Sequence, residues 1–202
     1  MSYENFAELT EHAQEGKDYR ILIREGSTSL AVIAPHGGKI EVGTSELARA
    51  IAGEEHHLYC FEGIRPTEMD DLHLTSTRFD EPQGLALVRR VEVAVSLHIC
   101  SGDADLVYVG GRHGELKEAS IKALRAAGFD ALLDRTEHAG LNRRNITNQG
   151  RSGRGLQFEV SEPLRDQMLQ IDSRGNVRRK ERPFHRFVST VRDVLEGYQS
   201  AG

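Results

Sequence analysis

Ser29-Leu-Ala-Val-Ile-Ala-Pro35-His36-Gly37-Gly38-Lys39-Ile40-Glu41 is the stretch on which the reading of this 202-residue chain turns. Leu30 to Ala34 is an unbroken apolar run, as expected of a strand buried on both faces. Pro35 is expected to stop it, and the two glycines allow a tight turn. His36 and Glu41 then lie on the connection into Gly43-Thr-Ser-Glu-Leu-Ala-Arg-Ala-Ile, which reads as a helix. Open α/β sheets bind ligands outside the carboxyl ends of their strands. Two metal-type ligands at that edge therefore suggest a site.

Working outward, elements of both kinds alternate. Residues 3–14 suit a short helix with Phe6, Leu9 and Ala13 on one face. Tyr19 to Ile23 reads as a strand, Ser45 to Ala52 as a helix stopped by Gly53, and Leu58 to Phe61 as a strand. Residues 64–71 read as loop, and Leu72 to Thr75 as a further short strand. Asp80 is expected to cap a helix that opens Glu81-Pro82 and runs to Arg89. Strands are expected at Val91 to Ile99, Leu106 to Val109, Ala131 to Leu133 and Leu156 to Val160. Helices are expected at Glu115 to Ala127, Pro163 to Leu169 and Arg182 to Tyr198, with 134–154 irregular. This alternation predicts one α/β domain over residues 1–202, a three-layer sandwich with a mixed, mainly parallel central sheet.

Composition narrows the function classes. Charged residues make up 28% and the formal net charge is −5, so bulk charge does not favour nucleic acid. No apolar run approaches the ~20 residues of a membrane helix, so no membrane partner is expected. Met-Ser-Tyr-Glu-Asn-Phe lacks the basic start and apolar core of a signal peptide, and a cytoplasmic protein is expected. With only Cys60 and Cys100 present, no disulfide framework is expected. The sequence carries no signal for oligomeric state.

His98 closes a second apolar strand, Val91-Glu-Val-Ala-Val-Ser-Leu-His98, before the loop Ser101-Gly-Asp103. His36, Glu41 and His98 form a set suited to tetrahedral Zn²⁺ with one open position. A hydrogen-bonded structural role is the alternative for each histidine. Cys100 faces the same way as His98 on a strand and is an alternative ligand. Glu159 alternates with Leu156, Phe158 and Val160, and stands as a general base near a strand end. The alternative is an ordinary solvent-facing strand residue. Arg143, Arg144, Arg151 and Arg154 surround Asn145 to Gly150 and form a local basic patch able to bind carboxylates, phosphates or an RNA backbone. The alternative is a solvated loop. The patch lacks the aromatics that stack single-stranded bases.

Together, His36-Gly-Gly-Lys-Ile-Glu41, Leu72-His-Leu-Thr-Ser-Thr-Arg-Phe-Asp-Glu-Pro82, His98-Ile-Cys-Ser-Gly-Asp103, Asn145-Ile-Thr-Asn148 and Gly155-Leu-Gln-Phe-Glu159 resemble the poly-γ-glutamate hydrolase family, many members of which come from phages or prophages. The matching segments span about residues 20–165. The resemblance implies a compact zinc-carboxypeptidase-like fold, with zinc on His36, Glu41 and His98 and a catalytic glutamate at Glu159. It implies a polyanionic glutamate polymer as substrate, bound by groups drawn from Arg78, Asn145, Asn148, Arg151 and Arg154. Nucleic acid is not an expected partner, and release by phage lysis would carry the enzyme to a capsule. The family usually has Asn-Arg-Gly where this chain has Asn148-Gln149-Gly150, which points to a different substrate preference. Two rival readings remain. One is an aspartoacylase-like deacylase of a small acidic amide. The other is a non-catalytic phage accessory protein that binds nucleic acid or a partner.

Overall fold

The computed structural model describes residues 3–66, 69–136 and 138–200. Met1, Ser2, Thr67, Glu68, Glu137, Ala201 and Gly202 lie outside them, including parts of the loops predicted at 64–71 and 134–154. Among the described residues, seven strands form one sheet. They are β1 (Tyr19–Arg24), β2 (Leu30–Gly38), β3 (His57–Gly63), β4 (Val93–Cys100), β5 (Leu106–Gly111), β6 (Asp130–Leu133) and β7 (Leu156–Ser161). The order is β1-β3-β2-β4-β7-β5-β6. The β3-β2-β4-β7 centre is parallel, β1 runs antiparallel to β3, and the parallel β5-β6 pair joins β7 antiparallel.

Helices cover both faces, as the alternation predicts. α2 (Thr44–Ala52), α4 (Gly114–Ala126), α5 (Glu162–Met168) and α6 (Glu181–Ser200) cover one. Phe184, Phe187, Val191 and Leu195 recur on one stripe of α6 and are buried there. α1 (Phe6–His12) and α3 (Pro82–Arg90) cover the other, packed through Leu9, Leu87 and Val88 against Tyr59 and Phe61. A small hairpin of β8 (Leu169–Ile171) and β9 (Val177–Arg179) precedes α6 and has no counterpart in the sequence reading.

Three local expectations are corrected. Pro35 does not end β2. The β2-β3 register shifts between Ala34 and Gly37, so Pro35 and His36 occupy a bulge, a position that tolerates the missing N–H of proline. Leu72 closes a 3₁₀ turn, Met69–Leu72, and no strand follows. Glu81, not Asp80, caps α3, because its carboxylate accepts from Gln83 N and Gly84 N. Asp80 instead accepts from Phe6 N at the start of α1.

The arrangement opens a crevice. β2 pairs with β4 only from Leu30↔Val93 to Ile33↔Ser96. Beyond those residues the two strands are no longer paired. This is the topological switch point, since the β2 chain continues to β3 on one side while β4 pairs with β7 on the other.

Candidate active site

The bulge in β2 delivers His36 to that crevice, and β4 delivers His98 two residues past its last pairing with β2. His36 is buried, with Nδ1 2.6 Å from Glu41 Oε1 and Nε2 2.7 Å from the Leu74 carbonyl. A carbonyl only accepts, so Nε2 carries the proton. Burial lowers the His36 pKa, although Glu41 pulls it the other way, and the neutral ring is favoured. The Nδ1 lone pair then faces a carboxylate oxygen at hydrogen-bond distance. Two acceptors at that distance repel unless a cation lies between them.

Glu41 is held in place by the Ile99 N–H, which donates to Oε2 at 2.9 Å. Burial alone would raise its pKa, but positive charge at the His36 and His98 positions more than offsets this and holds it well below the usual carboxylate range, and a cation between His36 Nδ1 and Glu41 Oε1 would act in the same sense. His98 Nδ1 stands 3.4 Å from Glu41 Oε2, and its buried Nε2 has no hydrogen-bond partner among the described residues. Burial pulls the His98 pKa down, yet Glu159 and Glu41 together move it up to about 9. The pocket thus favours positive charge where these three side chains meet. Their ligand atoms all lie within 4.8 Å of one another. A close His-Glu-His set, its histidines buried and Glu41 half-buried, with an unused imidazole nitrogen, fits a divalent cation, and the Leu74 and Ile99 backbone contacts are of the kind that orient metal ligands.

Glu159 stands opposite His98 in the parallel β4-β7 register. Burial raises its pKa, His98 lowers it, Glu41 raises it again, and the net value is about 7. A carboxyl poised there can both accept and return a proton at neutral pH. Gln157 Nε2 donates to Glu159 Oε1 at 3.0 Å and to the His138 carbonyl at 2.7 Å. Asn145 Nδ2 donates to Gln157 Oε1 at 3.1 Å.

These groups line one cavity of about 330 Å³, which also exposes His73, Thr75, Thr77, Ser101, His138 and Asn142. The expected residues His36, Glu41, His98, Glu159 and Asn145 all reach it. Cys100 lines it too, but it is not part of the His-Glu-His cluster.

Other expected residues do not reach this cavity. Asn148 is buried and spends its amide on the Gly140 and Asn142 carbonyls and on Gly155 N, so it braces the loop. Arg151 and Arg154 precede β7, and Glu159 lies in its second half. Glu159 is the fourth residue of β7, roughly 10 Å along the strand from Leu156, and Arg154 lies two residues before that strand begins. The Arg151 and Ser152 N–H groups donate to Val91 and Glu92 carbonyls, which anchors this turn below the start of β4. Arg78 pairs with Glu4 at 2.7 Å and lines a neighbouring cavity. The sequence reading missed His73, whose Nε2 lies 3.2 Å from Glu41 Oε1 and whose ring packs against that of His36, tilted by 31°, at 3.8 Å between centroids. It also missed Gln157, although period-two alternation places that residue on the Glu159 face.

Comparison with known proteins places the chain in a family. The family model described as poly-gamma-glutamate hydrolase matches residues 3–190. The chain belongs to the poly-gamma-glutamate hydrolase family. It is a hydrolase. A relative, UPF0714 protein YmaC of Bacillus subtilis (strain 168), is 35% identical over 199 residues, which is 96% of this chain and 84% of that protein. The structure of a bacteriophage poly-gamma-glutamate hydrolase superposes with a TM-score of 0.91 at 29% identity, over 99% of each chain. The zinc-free apo structure of YNDL superposes with a TM-score of 0.89 at 34% identity, covering 97% of this chain and 98% of that one. The mixed sheet flanked by helices is thus shared with both.

Proposed function

We propose that this protein is a zinc-dependent amidohydrolase that cleaves γ-glutamyl amide bonds of poly-γ-glutamate. The observation that carries the reading is the His36-Glu41-His98 cluster, which lines one cavity together with Glu159. The family membership and the zinc-free state named for the YNDL structure support the metal and the substrate class. His36, Glu41 and His98 would hold the zinc. Zinc bound by such a set supplies a Lewis acid that polarises a carbonyl and lowers the pKa of water.

The remaining chemistry belongs to the chain's own residues. Glu159 takes a proton from the attacking water and returns it to the leaving amine, as its pKa near 7 suits. Gln157 holds Oε1 of that carboxylate and so fixes its orientation. Ser101, Thr75 and Thr77 offer neutral hydrogen-bonding groups to the substrate at the cavity wall, while the Asn145 amide is engaged by Thr147 N and Gln157 Oε1.

Metal content tests the reading. Wild-type protein, purified without a nickel column, should carry about one zinc per chain by mass spectrometry, and His36→Ala should carry none. The loaded wild type should shorten poly-γ-glutamate. Absence of metal after zinc is added back and dialysed, with no loss of polymer length, overturns the proposal.

A further inference from the structure

Beside the cavity of the His-Glu-His cluster lies a larger one of about 510 Å³, on the face covered by α1 and α3. Thr77 borders both, so the two are neighbours separated by that residue. The second cavity collects four guanidinium groups, from Arg78, Arg89, Arg143 and Arg144. Arg78 is paired with Glu4. Arg89, Arg143 and Arg144 are exposed and form no ion pair among the described residues. The nearby Asp80 carboxylate accepts from Phe6 N. A protein of net charge −5 therefore gathers unpaired positive charge beside its hydrolytic site.

We infer that this arginine-lined cavity binds carboxylates of the glutamate polymer at residues beyond the bond being cut, so that the enzyme grips an extended anionic chain. The inference rests on the function proposed above. Guanidinium groups take carboxylates with charge-assisted, often paired hydrogen bonds. One exposed pair contributes little, and a useful grip requires several together. Arg89, Arg143 and Arg144 meet that need from two separate segments, α3 and the 134–154 loop. A single-stranded nucleic acid is the less suited polyanion. Its bases need stacking partners, and the one ring in this lining, Phe79, is buried in the core.

The test is binding of fluorescently labelled poly-γ-glutamate, followed by anisotropy, to full-length protein carrying Glu159→Gln so that no cutting intervenes. Adding Arg143→Ala with Arg144→Ala should weaken binding about tenfold, as should Arg89→Ala to a lesser degree. The same double substitution in the active enzyme should raise KM for the polymer by a similar factor. Lys122→Ala with Arg182→Ala removes two exposed charges from the opposite face and should change binding less than twofold. Equal losses from both double variants would reduce the effect to bulk charge and overturn the inference. So would equal affinity of the parent and the Arg143/Arg144 variant. An oligothymidylate that binds as tightly through the same arginines would overturn the carboxylate assignment. Arginine-dependent binding of a polymer that the wild type never cuts would overturn the proposed cleavage of poly-γ-glutamate while the cavity assignment stands.

Discussion

Gln157 and Glu159 sit two positions apart on β7, and the amide of the first donates to Oε1 of the second at 3.0 Å. The same amide nitrogen also donates to the His138 carbonyl, and the Gln157 carbonyl oxygen accepts from Asn145. Gln157 thus ties the proposed base to the loop that walls its cavity. Every one of these contacts is buried or nearly so, and none reaches the His36-Glu41-His98 cluster.

Gln157→Met removes the amide and keeps much of the volume. It should lower kcat on poly-γ-glutamate roughly 10- to 100-fold, the range for loss of a group that orients a reacting one. KM should move far less, and zinc content should stay at the wild-type level. A variant whose KM rises while kcat holds would make Gln157 a substrate contact instead of a positioning residue.

His36 and His98 were legible because each ends an apolar run, and a buried imidazole at a sheet edge has few uses. Glu41 followed from its short distance in sequence to His36. Glu159 was legible from alternation along β7. The bulge at Pro35 was not, because proline stops a strand or sits in a bulge according to a partner strand that one segment cannot reveal. His73 comes from an irregular segment, where no periodicity assigns a face. The arginines around Asn145 read as one patch because they are close in sequence. The fold divides them, with Arg143 and Arg144 at the second cavity and Arg151 and Arg154 at the start of β7. The capping exchange between Asp80 and Glu81 turned on a contact with Phe6, 74 residues away.

Chelation should lower thermal stability. A metal that binds only the folded chain stabilises it by about 2.7 kcal/mol when present at ~100 times its Kd. For a domain of this size that corresponds to roughly 5–10 °C in Tm. Wild-type protein should show this difference between zinc-loaded and chelator-treated samples, while His98→Ala should show none. An unchanged melting curve for the wild type would count against a metal held by folded residues.

Gly84→Ala sets two effects against each other. Alanine gains about 1 kcal/mol over glycine inside a helix. A Cβ at this position of α3 would lie 2.7 Å from the Tyr59 ring, closer than real Cβ contacts come. Tyr59 is fully buried and its hydroxyl donates to Glu81 at 2.8 Å, so the ring has little room to give. Overpacking of this kind costs about 1–3 kcal/mol, and packing should win. Tm should fall by up to roughly 8 °C. A rise in Tm would mean that Tyr59 moves aside and propensity decides.

His56 should make the fold acid-sensitive away from the active site. It is buried, and its Nδ1 lies 2.8 Å from Thr28 Oγ1. Burial first, and Arg192 second, lower its pKa below the ordinary histidine value. The unfolded chain therefore takes up a proton near pH ~6.5 that the folded chain refuses. More protons on the unfolded state means that stability falls as pH drops, by up to about 1.4 kcal/mol per unit, until the folded-state pKa is passed. At pH 7.5 the ring is neutral in both states and this penalty vanishes. His56→Asn keeps a side chain able to bond Thr28 but cannot titrate. Its Tm should lie below that of the wild type at pH 7.5 and draw closer to it at pH 5.0. Both proteins are compared after chelation, so that proton competition at His36 and His98 does not enter. Parallel pH profiles for the two would assign the acid sensitivity to other groups, with buried His113, whose pKa is also lowered chiefly by burial, the next to replace.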